Sequence, residues 1–213
     1  TTIKLLAGLL KPDAGSILIN GYNIAKDPVN CKLYTGHIPD RPFLYEKLTG
    51  NEFLRFIASL YHLPTSTFDK NVNRLLDLFD LTNWQDHLIE SYSHGMRQKL
   101  IMTSVFMLET PTIIVDEPMV GLDPKSARIV KELFKNHARI GGSIFLSTHS
   151  LEIAEELCGQ IAIILNGSIK AVGDMETLRK EASLETSDLE DVFLELTEAE
   201  ELTEVISALK NMD

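Results

Sequence analysis

Residues Thr112–Pro124 read TIIVDEPMVGLDP. An unbroken apolar run, Ile113 to Val115, leads into two adjacent acids, Asp116 and Glu117, and then into a turn region with Gly121, Asp123 and Pro124. Apolar residues without alternation mark a strand buried on both faces, as in a parallel sheet. Such a strand delivers its terminal carboxylates to the C-terminal edge of the sheet, where open α/β folds bind their ligands. Adjacent acids at that edge can divide labour: one holds Mg²⁺ through water, and the next polarises a water for attack on a phosphate. A solvated strand end with no chemistry has the same local pattern, so the flanking stretches decide.

Those flanks alternate between short apolar runs and helical patterns, which argues for an α/β fold with a mainly parallel sheet. SILINGYNI (16–24) reads as two short strands about Asn20-Gly21, and QIAIILNGSIKAVG (160–173) as a hairpin about Asn166-Gly167. YTGHIP (34–39) is a short strand ending at Pro39, and SIFLSTHS (143–150) an apolar strand ending at His149. PKSARIVKELFKNHARIGG (124–142) has Pro124 at the start of a helix and glycines at its end. From Thr49 to about Thr110 the strand signal vanishes. TGNEFLRFIASLYHL spaces its apolar residues three and four apart behind a Thr49/Glu52 capping-box pattern. The expectation is one domain over 1–213, with a helical lobe inserted at 44–108 and a helical, acidic tail over 174–213.

The 213 residues carry a formal charge of −11 with 44% hydrophobic content. The charge is local: ten acids and no Lys or Arg lie between Glu181 and Glu204, leaving the remainder nearly neutral. No basic face is visible, so nucleic acid is not an expected partner. No uncharged stretch approaches the roughly 20 residues of a membrane span. No charged-then-apolar leader is seen. Cys31 and Cys158 have no metal-like spacing and read as reduced, buried thiols of an intracellular protein.

SYSHGMRQKL (91–100) places Ser93 where a helix begins, with Gly95 keeping the backbone open. The free N–H groups of a first turn and a serine hydroxyl suit an anion. Alone, this is also an ordinary N-cap, and His149 alone an ordinary surface histidine.

Taken together, in this order, these stretches resemble the nucleotide-binding domains of ABC transporters over nearly the whole chain. SYSHGMRQKL is similar to the ABC signature (LSGGQ-x-Q), IIVDEP to Walker B with its catalytic glutamate, GLDP (121–124) to the D-loop, and STHS (147–150) to the switch-histidine motif. The resemblance implies a P-loop NTPase-type core with an ABC-specific helical lobe, ATP and Mg²⁺ as cofactors, and hydrolysis between two ATPase subunits that face each other head to tail, as a homo- or heterodimer. It implies Thr1, Asp116 and Asp40 at the metal, and Thr1, Thr2, Asp40, Ser93, Gly95 and Asp123 at the nucleotide. Glu117 and His149 fall to catalysis. The further partner is a transmembrane permease, which holds the subunit on the cytoplasmic face of the membrane. PDRPFLYEKLTGNEFLRF (39–56) and LEDVFLELT (189–197) resemble the bacterial exporter branch.

The resemblance also bears on the opening stretch. TTIKLLAGLL (Thr1–Leu10) reads as a helix with no cap before it, and it is similar to the helix that follows a G-x-x-x-x-G-K-[ST] loop, Thr1 being the closing residue. The glycines and lysine of that loop do not occur here. Lys4 is no substitute, lying about 300° around and about 4.5 Å along the helix from its start. The expectation is a chain shortened at its N-terminus whose 213 residues alone bind ATP poorly. A non-catalytic module acting only in protein–protein interaction is the alternative. Three positions depart from the family pattern: Asp40 stands where a glutamine is usual, His94 where glycine is usual, and Met96 where glutamine is usual. A side chain at position 94 is tolerable on a helix N-terminal turn if it points to solvent.

Overall fold

The computed structural model describes residues 1–41, 43–184 and 187–197, in two compact units within 1–147 and 148–213. The part of the expected acidic tail at 198–213 lies outside the described residues.

The first unit is built on a parallel sheet of order β3-β4-β5, from Thr35–Ile38, Thr112–Asp116 and Ser143–Ser147. Ile113, Ile114 and Val115 are buried, as the unbroken apolar run demands of a central strand. One face is covered by α1 (Thr2–Leu6), a small hairpin of β1 (Leu18–Ile19) and β2 (Tyr22–Asn23), and α2 (Pro28–Leu33). There Ile3, Ile19, Ile24 and Cys31 form a cluster with Ile114. Asn20 and Gly21 both have positive φ (49° and 82°), the backbone of a type I′ turn, which joins twisted strands without splaying them.

The helix expected over Thr1–Leu10 is shorter. Gly8 takes φ +68°, Leu9 N donates to Lys4 O (2.8 Å) and Gly8 N to Leu5 O (3.1 Å). This is a Schellman ending, and it stops α1 at Leu6.

Between β3 and β4 the described residues form helices and a single bridge, Thr49 to Leu88. These are α3 (Gly50–Leu60), α4 (Thr65–Leu78), two short 3-10 turns and α5 (His94–Phe106). The Thr49/Glu52 capping box is formed in both directions: Glu52 N donates to Thr49 Oγ1 (3.2 Å) and Thr49 N to Glu52 Oε2 (2.8 Å). Phe53, Leu54, Phe68, Val72, Leu75, Leu76 and Ile89 are buried among these helices. The buried Asn71 donates to Met107 O at 3.0 Å, tying α4 to the end of α5. The helix α6 (Pro124–Arg139) then leads into β5.

The second unit holds α7 (Leu151–Leu157), an antiparallel hairpin of β6 (Ile161–Leu165) and β7 (Ser168–Gly173), α8 (Met175–Glu181) and α9 (Leu189–Thr197). Its core is Ile161, Ile163, Ala171, Leu178, Ala182, Leu189 and Val192. Asn166 and Gly167 repeat the positive-φ turn of the first hairpin. Glu155 accepts from Leu189 N (3.2 Å), and Arg179 donates to Ser187 O (2.6 Å), which fixes the entry to α9. Both cysteines are free. Among the described residues no helix is long and apolar enough to cross a membrane.

Candidate functional site

Because β3 and β4 run parallel with Ile38 beside Val115, the residues after each strand emerge at one sheet edge. That edge carries Asp40, Asp116 and Glu117. Asp116 is half-buried and paired in register with Ser147. Glu117 has a left-handed backbone (φ 48°), and its N–H is held by Ser147 O at 3.0 Å. The chain therefore leaves the extended conformation of the strand at Glu117. Asp40 lies 3.8 Å from the guanidinium of Arg41, a largely exposed pair. Thr1 and Thr2 are exposed; Thr1 caps α1 through its carbonyl, which accepts from Leu5 N (3.0 Å), with no side-chain cap bond. The helix is anchored to β4 by burial of Ile3 against Ile114.

A second group forms at the start of α5. Ser93 is the N-cap, its hydroxyl oxygen accepting from Met96 N at 3.3 Å. Arg97 braces this start from behind: it donates to Tyr92 O (3.2 Å) and Glu90 O (3.3 Å) and pairs with Glu46 (2.5 Å). Tyr92, just before the cap, donates to Trp84 O (2.7 Å), and burial raises its phenol to about 12. Gly95 lies against the next loop, since a Cβ there would stand 2.8 Å from Gly121 O. His94 is exposed, and its imidazole lies over Gly121. Gly121 has φ +77°.

Asp123 is engaged inside the chain. It caps α6, accepting from Ser126 N (2.9 Å) and Ser126 Oγ (2.7 Å), and it pairs with Lys99 Nζ at 2.9 Å. The Lys99 hydrogen bond, helped by Ser126, holds its carboxyl well below the usual carboxylate range. Lys99, Arg97 and His37 are the residues that sequence reasoning passed over. Nothing in the local pattern marks the first two, because their partners lie 24 and 51 positions away.

His149 is exposed and lies near the start of the second unit, between β5 and α7; Ser150 caps α7. Among the described residues no cluster of three or more His, Cys, Asp or Glu is arranged to hold a metal.

The family model for ABC transporters matches residues 1–120. The chain is 36% identical over 197 residues to the ABC-type transporter ATP-binding protein EcsA of Bacillus subtilis, covering 92% of this chain and 80% of that protein. It is 33% identical over 173 residues to the linearmycin resistance ATP-binding protein LnrL of the same organism, covering 81% of this chain and 56% of that protein. A solved ATP-binding subunit of an ABC transporter superposes with a TM-score of 0.89 at 36% identity, covering 92% of this chain and 81% of that one. The chain belongs to the ABC transporter family as an ATP-binding domain, with the α/β fold of P-loop NTPases. Domains of this family are ATPases coupled to transport.

Proposed function

We propose that the chain supplies the catalytic edge and the signature helix of an ATPase subunit that drives export through a transmembrane permease from the cytoplasmic face. What supports the reading is the parallel register of β3 and β4, which brings Asp40, Asp116 and Glu117 to one edge beside α1.

Asp116, through water, and the Thr1 hydroxyl would hold Mg²⁺, with Asp40 as a further carboxylate, and Thr2 would touch a phosphate. ATP with its metal supplies the phosphoryl group to be transferred. Glu117 orients a water and accepts its proton. His149 donates to the γ-phosphate side. Ser93 and Gly95 serve the nucleotide of a second ATPase subunit placed head to tail. Asp123 takes part as the residue that sets the loop's shape, because its carboxylate is taken by Lys99 and Ser126. Movement would reach the permease through helices α3–α5 of the inserted lobe. The export direction draws support from the resemblance of residues 39–56 and 189–197 to exporter subunits and from the similarity to a resistance protein.

Residues 1–213 contain no G-x-x-x-x-G-K-[ST] loop. Such a loop wraps N–H groups around the phosphates, and each charge-assisted contact contributes about 1.5–3 kcal/mol. ATP binding and hydrolysis are therefore measured on the 213-residue polypeptide and on the same polypeptide with a loop of that pattern joined ahead of Thr1. The first is expected to bind ATP weakly and the second to hydrolyse it. Glu117→Gln in the second is expected to lower hydrolysis by about 10²–10⁴ while binding is kept. If the loop restores no nucleotide binding, the non-catalytic interaction module replaces this reading.

A further inference from the structure

His37 is the third residue of β3. Its neighbour Gly36 faces α5, since a Cβ there would run into Val105 and stand 3.0 Å from Thr110 Oγ1. Side chains alternate along a strand, so His37 faces the other side of the sheet. That is the side on which Ile114 buries against Ile3. His37 is in register with Ile114, and Asp116 follows two residues later on the same face. Strand spacing and rise put the Cα atoms of His37 and Asp116 about 8 Å apart, within reach of an imidazole and a carboxylate directed toward each other.

The Nε2 atom of His37 is buried and has no hydrogen-bond partner among the described residues. A buried polar atom left unpaired costs about 1–3 kcal/mol, so an ion-holding group or a water that could pair with it would lower that cost. Burial lowers the tendency of this ring to take up a proton, against the opposing pull of the Asp116 charge. A neutral ring can offer one N–H. Carboxylates that hold a metal with one oxygen are themselves held by hydrogen bonds to the other.

We propose that His37 is a positioning residue for Asp116: its Nε2–H is the donor that the Asp116 carboxylate takes up when it carries a divalent cation. The inference rests on the reading of Asp116 as the metal-holding acid. His37 touches neither nucleotide nor attacking water; it limits the orientations open to the carboxylate and so raises its affinity for the cation.

The test uses the 213-residue chain with Mn²⁺ alone as probe, followed by water-proton relaxation, and histidine ¹⁵N resonances followed as Mg²⁺ is added. The expected result is a Mg²⁺-dependent shift of the His37 Nε2 signal, with the signal of His137, a buried histidine on α6, unchanged. His37→Phe is expected to weaken Mn²⁺ binding about tenfold, and His37→Gln, which can replace the donor, to stay within about threefold of the parent. Asp116→Asn is expected to abolish both the Mn²⁺ response and the His37 shift. If Asp116→Asn loses Mn²⁺ binding while His37→Phe binds as the parent does and the His37 signal stays still, the inference is overturned and the reading of Asp116 stands. If Asp116→Asn binds Mn²⁺ as the parent does, the reading of Asp116 fails and takes the inference with it. Should His37→Phe not fold, the His37 signal of the parent chain decides by itself.

Discussion

Lys99 Nζ sits 2.9 Å from Asp123 Oδ2, joining the signature helix to the loop that opens α6. The lysine side chain is 14% exposed and the aspartate 50%, so one partner is largely withdrawn from water and the other is not. Asp123 also caps α6 through Ser126. Asp123→Ala removes cap and ion pair together and is expected to lower unfolding stability by about 1–2 kcal/mol in urea titrations. Asp123→Asn keeps a cap acceptor and is expected to lose less.

The same carboxylate sets an acid response. Its folded value lies below the usual range, so the stabilisation it gives is complete above the unfolded value of about 3.9 and is lost as pH falls through the folded one. Asp174 and Glu52 are lowered in the same direction by their own cap hydrogen bonds and contribute in the same window. Unfolding free energy measured from about pH 6 to about pH 2 is expected to fall, and the fall is expected to be shallower in Asp123→Asn. Parallel curves for the two proteins would remove Asp123 from the account.

Gly121 combines φ +77° with the His94 ring where a Cβ would go. Gly121→Ala is expected to destabilise the chain for both reasons. In a His94→Gly background the steric part vanishes, and about 1–2 kcal/mol from the left-handed backbone remains. A double-mutant cycle by thermal or urea unfolding separates the two contributions.

The capping box at α3 gives a simpler expectation. Thr49→Ala leaves Glu52 N without its acceptor and is expected to cost about 1 kcal/mol, read by urea unfolding. Glu52→Gln keeps the reciprocal acceptor and is expected to cost less.

What could be read from the chain was whatever sits in local pattern. The Ile113–Val115 run identified a central parallel strand, with its two acids at the C-terminal end. The Asn-Gly pairs located both hairpins, and Thr49 with Glu52 located the start of α3. Gly8 was equally visible, yet the apolar spacing around it favoured a longer helix; the left-handed backbone at Gly8 and its two closing hydrogen bonds override that spacing. The Lys99–Asp123 pair was out of reach because it forms only once α5 and β4 are packed. His37 was out of reach because its meaning depends on strand register and on which face Gly36 occupies. Asp123 was placed among nucleotide contacts on motif alone, and only the folded chain reveals what its carboxylate is already bonded to.

Glu117 holds a left-handed backbone that costs a residue with a Cβ about 1–2 kcal/mol and costs glycine nothing. Glu117→Gly would relieve that steric cost while erasing the proposed chemistry. A library of this domain sorted for folding alone would be free to take glycine at position 117, and one sorted for turnover would hold the glutamate. The frequencies at that single codon would report which of the two pressures a population had met.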